Sequence, residues 1–173
     1  MPKSALSQAE FQRAISARSG QWYSVCLRIT KSPQLAEDAV QDGLLNAWKN
    51  RRQFKKDSKL ETWIHSICVN SALSLLRKQH PGRFDSMETE PADPAVSIEE
   101  SHYHGELSAE LGSAMQKLSE DERVCFVLRH LEQWSLKEIA EAVDKNANAV
   151  KQSVFRAVNK LRHEMPTLAG EAQ

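Results

Sequence analysis

Lys151, Gln152, Ser153, Phe155 and Arg156 crowd into six residues near the end of the chain, on a stretch with helical periodicity. Lysine and arginine donate to guanine, glutamine pairs with adenine, and a phenylalanine ring can touch a thymine methyl. Lys160, Arg162 and His163 follow on later turns, where they suit phosphates. The chemistry open to this set is recognition of a nucleic acid rather than bond-making. Nowhere does the sequence pair a nucleophile with a base, cradle phosphate in a glycine loop, or set two carboxylates for acid–base work.

Reading base edges requires a helix held at a defined angle, and the preceding residues supply the means. Ser135-Leu136-Lys137-Glu138 is a capping box that opens a helix with Ile139, Ala140 and Val143 on one face. After a polar break, Asn146 is a suitable N-cap for the helix carrying Val150, Val154 and Leu161. Val124, Val127, Leu128 and Leu131 are expected to pack under Leu136, Ile139, Ala140 and Val143. Two helices joined by such a tight turn form a helix-turn-helix, which places its second helix in the DNA major groove. Upstream, Ser119-Glu120-Asp121-Glu122 is another capping box, and Leu107, Leu111, Met115 and Leu118 extend the helical pattern.

The first half of the chain is helical by pattern as well. Phe11, Ile15, Tyr23, Leu27 and Ile29 lie at helical spacings, with a break expected at Gly20. Ser32-Pro33 starts a helix with Leu35, Ala39, Val40, Leu44 and Trp48 on one side. Ser58-Lys59-Leu60-Glu61 reads as a capping box, followed by a stripe of Leu60, Trp63, Ile64, Ile67, Cys68, Leu75 and Leu76. Trp63 on this stripe reads as core rather than as a platform for bases. From His80 the pattern fails amid Pro81, Gly82, Pro91 and Pro94, and large apolar residues become sparse. Such a stretch buries too little surface to offset its ordering entropy. The expectation is an all-α protein: two small helical domains, 1–80 and 106–173, joined by a flexible acidic linker, 81–105.

Net charge is zero over 173 residues, but it is divided. Residues 1–80 hold thirteen Lys/Arg against six Asp/Glu, whereas residues 81–105 hold one against six. Residues 106–146 are also acidic, and residues 147–173 return to net positive charge. Two basic segments around an acidic centre suggest two surfaces for a polyanion. No apolar run is long enough to span a membrane, and the first residues lack a secretory pattern, so a cytoplasmic protein is expected. The three cysteines, Cys26, Cys68 and Cys125, are widely spaced and odd in number, which fits a reducing compartment. His65 and Cys68, with Cys26, or His102 with His104, could be imagined around a metal. Paired Cys-x-x-Cys ligands are lacking, so neither metal nor cofactor is expected.

Both halves together resemble bacterial sigma factors of the extracytoplasmic-function type, the compact form with two folded domains. The first half carries Ala36-Glu37-Asp38-Ala39-Val40-Gln41-Asp42, Ala47-Trp48, Phe54, Thr62-Trp63-Ile64, Cys68-Val69-Asn70 and Leu76-Arg77-Lys78. The second carries Leu118-Ser119-Glu120, Ser135 through Ala140, and Val150-Lys151 through Arg156-Ala157. The resemblance implies a protein, not itself an enzyme, that binds core RNA polymerase, selects promoters and helps to open them. It implies that the helix with Asp38, Gln41 and Asp42 docks on the clamp of the largest polymerase subunit. It implies that the region of Asn70 captures a flipped base of the −10 element, helped by Ser71 and Ser74. An amide offers a donor and an acceptor side by side, as a base edge requires. Arg77, Lys78, Lys55, Lys56 and Lys59 would then face phosphates. The last helix would read the −35 element as duplex, and an anti-sigma factor is an expected partner.

Four residues depart from the family's usual pattern: Ser74 beside Asn70, Asp144 and Lys145 in the turn, and Ala149 in the first turn of the last helix. They bear on which promoter is read. Two other readings remain open, a sigma-factor mimic that sequesters an anti-sigma factor and an ordinary helix-turn-helix regulator.

Overall fold

A computed structural model describes residues 5–79 and 106–165, and all regular structure among them is helical. The acidic linker expected over 81–105, including His102 and His104, lies outside the described residues. The chain divides into two compact units between Gln79 and His80. No helix among the described residues is long and apolar enough to cross a membrane.

The first unit packs α1 (Gln8–Thr30), α2 (Pro33–Lys49) and α3 (Leu60–Gln79), with a 3₁₀ turn at Arg51–Gln53. Ser7 caps α1 reciprocally: the Glu10 N–H donates to its hydroxyl at 3.1 Å and its own N–H donates to Glu10 at 2.9 Å. The backbone bond from Ser7, with the hydroxyl bond second, holds the Glu10 carboxyl below its usual pKa. The break expected at Gly20 does not occur, and α1 runs through it. A helical glycine costs only about 1 kcal/mol, and the buried Ala14 and Trp22 on either side fasten the helix to the core. Lys31 closes α1 in the left-handed region at φ 54°.

Ser32 and Pro33 start α2 as expected, the Ser32 hydroxyl accepting from the Leu35 N–H at 3.2 Å. Its buried face is made of small residues, Ala36, Ala39, Gly43 and Ala47. Of the expected stripe, only Ala39 is fully buried; Leu35, Val40, Leu44 and Trp48 are half-buried at the flanks. Small residues win because α2 lies directly on α3. A Cβ added at Gly43 would come within 2.9 Å of the Cys68 Cα and 2.8 Å of its Sγ. One helix later, Lys59 rather than Ser58 holds the N-cap position of α3, its carbonyl accepting from the Trp63 N–H at 3.1 Å.

The core joins Trp22, Val25 and Ile29 of α1 to Ile64, Val69, Leu73 and Leu76 of α3. Between them the Cys26 thiol donates to the Cys68 carbonyl at 3.5 Å. Trp63 is half-buried against Phe54, ring centroids 5.3 Å apart, and Trp48 packs on Phe11 with Arg51 over its face at 4.1 Å.

The second unit comprises α4 (Glu106–Met115), α5 (Glu120–Phe126), α6 (Leu136–Val143) and α7 (Ala147–Glu164). The capping boxes at Ser119 and Ser135 form as expected. Bonds from Ser135, backbone first, lower the Glu138 pKa. Val124, Val127, Leu128, Ile139, Val143, Val150, Ala157 and Leu161 make the core. A π-helical turn, Val127–Leu131, continues α5, and the Glu132 N–H reaches back five residues to the Val127 carbonyl at 2.9 Å. The wider turn carries Leu131 off the core side. It is 38 % exposed and does not pack under α6 as expected, while Leu136 is half-buried.

Candidate nucleic-acid interface

The helix-turn-helix is α6 and α7. Asp144 ends α6 in the left-handed region at φ 56°, a conformation asparagine and aspartate tolerate better than most residues. Asn146 then caps α7, its Oδ1 accepting from the Ala149 N–H at 2.8 Å. With Val150, Ala157 and Leu161 turned inward, Lys151, Gln152, Phe155 and Arg156 are exposed. Phe155 is 65 % exposed, an apolar ring in water beside two cations and an amide. That combination is costly for a merely solvated face and suited to a base-pair surface.

Two residues grouped with this face belong elsewhere. Ser153 is half-buried and hydrogen-bonds Cys125 on α5. Burial, with Asp121 nearby, pushes the Cys125 thiol up to about 12. Lys160, expected at a phosphate, is bound to Glu122 at 2.9 Å. Arg162 and His163 remain exposed. Lys145, unusual in the turn, is held by a close ion pair with Asp121, with both side chains largely buried.

In the first unit, α2 and α3 enclose a groove of about 470 Å³. Asp42, Leu45, Asn46 and Lys49 line it from α2; Ile67, Asn70, Ser71, Ser74, Leu75 and Lys78 line it from α3. Four of the residues expected at a flipped base thus meet in one place, beside one of the three expected at polymerase. The Asn70 side-chain N–H donates to the Ser66 carbonyl at 2.9 Å, which fixes the amide. Arg77 is exposed but does not line the groove. Lys55, Lys56 and Lys59 are exposed on the segment before α3, away from it. Lys56 is close enough to Glu10 to lower its pKa, a minor part of that shift.

Asp38, Gln41 and Asp42 are exposed on the outer side of α2. Leu45 continues that side and is 58 % exposed. Sequence reasoning passed over Leu45, although its spacing from Gln41 and Asp42 places it on their face. Ile67 and Leu75 were assigned to the core, and the neighbouring phase of α3 puts them in the groove wall instead. Cys26 and Cys68 are fully buried, and burial pushes the Cys68 thiol up to about 12, against the thiolate form that binds metal. No group of three or more metal-ligating side chains occurs among the described residues.

Comparison with known proteins matches both units. The sigma-70 region 2 model matches residues 15–81 and the sigma-70 region 4 model matches residues 108–161. The extracytoplasmic-function sigma factor SigG of Mycobacterium tuberculosis is 30 % identical over 171 residues, covering 83 % of this chain. The chain spans about half of that relative, 45 % of its length. Sigma factor SigV of Bacillus subtilis is 26 % identical, with 95 % of this chain and 96 % of the relative covered. Among solved structures, the sigma factor RpoE of Bartonella quintana, in complex with the anti-sigma factor NepR, shares the fold at TM-score 0.60 and 24 % identity. That match covers 91 % of this chain and 97 % of the other.

Proposed function

Because the chain belongs to the sigma-70 family, in its extracytoplasmic-function branch, we propose that it is an alternative sigma factor of bacterial RNA polymerase. It directs core polymerase to promoters of a particular −35 and −10 sequence. The first unit docks on the clamp of the largest subunit through Asp38, Gln41, Asp42 and the exposed Leu45. Carboxylates and an amide around one apolar anchor suit a basic partner surface. The same unit receives unpaired −10 DNA. Asn70, Ser71 and Ser74 offer hydrogen bonds in a groove walled by Ile67 and Leu75, and Lys78 and Arg77 supply charge for phosphates. The second unit reads −35 duplex with Lys151, Gln152, Phe155 and Arg156. The chemistry of RNA synthesis belongs to polymerase.

The α2–α3 groove is the observation that carries this reading over an ordinary helix-turn-helix regulator. An isolated regulator has no use for an amide-lined cleft bordered by an acidic docking face. The relatives also suggest control. By analogy with a sigma factor solved in complex with its anti-sigma factor, an anti-sigma partner covers the polymerase-binding side of this cytoplasmic chain until a signal releases it.

The test is transcription by core polymerase plus the full chain on a pool of randomised promoter fragments. Selective initiation, with Asn70→Ala altering the downstream preference and Arg156→Ala the upstream one, is the expected result. Absence of polymerase binding would overturn the proposal.

A further inference from the structure

We infer that the recognition helix α7 is locked at one position along its own axis by two lysines that grip adjacent carboxylates from opposite ends. The inference rests on the reading of α7 as the −35 reader and adds to it residues that do not touch DNA.

Asp121 and Glu122 are neighbours in the first turn of α5. Lys145, in the turn before α7, pairs with Asp121, and these side chains are 15 % and 19 % exposed. Lys160, near the far end of α7, pairs with Glu122 at 2.9 and 3.1 Å, and the Glu122 side chain is 10 % exposed. Fifteen residues separate the two lysines, about 22 Å at the helical rise of 1.5 Å per residue. Both reach toward the same turn of α5 from opposite directions. If α7 slides along its axis, one pair shortens and the other stretches. Ser153, between them and bonded to Cys125, resists rotation about the axis.

Apolar packing alone does not provide this. Contacts of Val150, Ala157 and Leu161 with their neighbours are non-directional and resist small slides weakly. Charge-assisted bonds are short and directional, and partly buried pairs are screened little by salt. The exposed pair of Lys117 with Glu164 at 3.5 Å, 65 % and 33 % exposed, adds little.

Position along the axis matters because base readout has a fine ruler. Successive bases lie about 3.4 Å apart along the duplex, and hydrogen bonds decay over a few tenths of an ångström. A slide of α7 by one residue's rise takes Gln152 and Arg156 out of reach of the base edges they address. Asp121, Glu122, Lys145 and Lys160 are therefore positioning residues for −35 specificity.

The experiment uses holoenzyme assembled with the full chain and templates with a fixed −10 element and a randomised −35 element. In the double variant Lys145→Met/Lys160→Met, discrimination among −35 sequences is expected to fall about tenfold or more, the scale of one lost bidentate base contact. Preference at −10, measured on templates randomised there, stays as in the unsubstituted protein. The swap Asp121→Lys/Lys145→Asp, tested with Lys160 intact, recovers discrimination that Lys145→Met alone loses. An unchanged −35 preference in a folded double variant would overturn the inference. If the double variant does not fold, Lys145→Gln and Lys160→Gln are read singly by the same criteria. If the unsubstituted holoenzyme selects no −35 sequence, the reading of α7 fails instead. The lock is then judged by NMR of the free chain: contacts between Ser153 and Cys125 shift in the lysine variants if it exists, and their constancy overturns it.

Discussion

Arg156 and Ser153 stand three residues apart on one helix and have opposite fates. Arg156 was legible because its exposure follows from the phase of Val150, Ala157 and Leu161, all local in sequence. Ser153 and Lys160 were not, because each is claimed by a partner on α5 that periodicity on α7 does not reveal. Replacing Arg156 by alanine is expected to cost about 1–3 kcal/mol of discrimination at one −35 position. Ser153→Ala should leave promoter choice nearly unchanged while lowering stability by about 1 kcal/mol. Competition between promoter variants and thermal melting separate the two. The cysteines carry a pH prediction. Cys68 and Cys125 are raised from 9.0 to about 12, so the unfolded chain releases their protons first as pH rises. Their contribution to stability is full below pH 9 and is lost between pH 9 and about 12. Denaturant titrations across that window should show a steeper alkaline loss in the natural protein than in Cys68→Ala or Cys125→Ala.

Elements whose signals are local matched expectation. The boxes at Ser119 and Ser135 and the cap at Asn146 form as the residue types demand. Helix continuity through Gly20 and the small-residue face of α2 were not legible, since both depend on what lies opposite. On a helical wheel, Leu35, Val40, Leu44 and Trp48 look like a core stripe, and only the proximity of α3 reveals that Ala36, Ala39, Gly43 and Ala47 are the contact. Gly43→Ala tests this at the scale of two helices. Its methyl meets backbone as well as the Cys68 sulfur, so α2 and α3 must separate, at a cost of about 1–3 kcal/mol. Because those helices also wall the groove, −10 preference should weaken while −35 preference holds. Melting temperature and initiation on templates varied at one element at a time decide the matter.

For the molecule as a whole, the division into two units agrees with the sequence pattern, and the helical class was legible throughout. The relation between the units was never written in local periodicity. With one reading surface on each unit, affinity for a promoter comes from joining two weak contacts. The free chain should bind promoter duplex weakly, and holoenzyme binding should fall steeply with salt. Replacing Lys78 by glutamine should reduce the slope of log affinity against log salt by about one, with little change in sequence preference. A salt titration of the holoenzyme–promoter complex measures that slope, and an unchanged slope would remove Lys78 from the phosphate contacts.

The π-helical turn at Val127–Leu131 makes the second unit sensitive to length as well as to composition. Such a turn is an α-helix with one residue to spare. Deleting a single residue there would let the α-helical ladder close and would turn everything downstream by about 100°, one residue's step on a helix of 3.6 per turn. The deletion would leave every side chain of α7 intact and still misdirect all of them. Among descendants of this sequence, insertions and deletions should therefore be rarer between Val127 and Leu131 than substitutions at the exposed Arg129, His130 and Leu131.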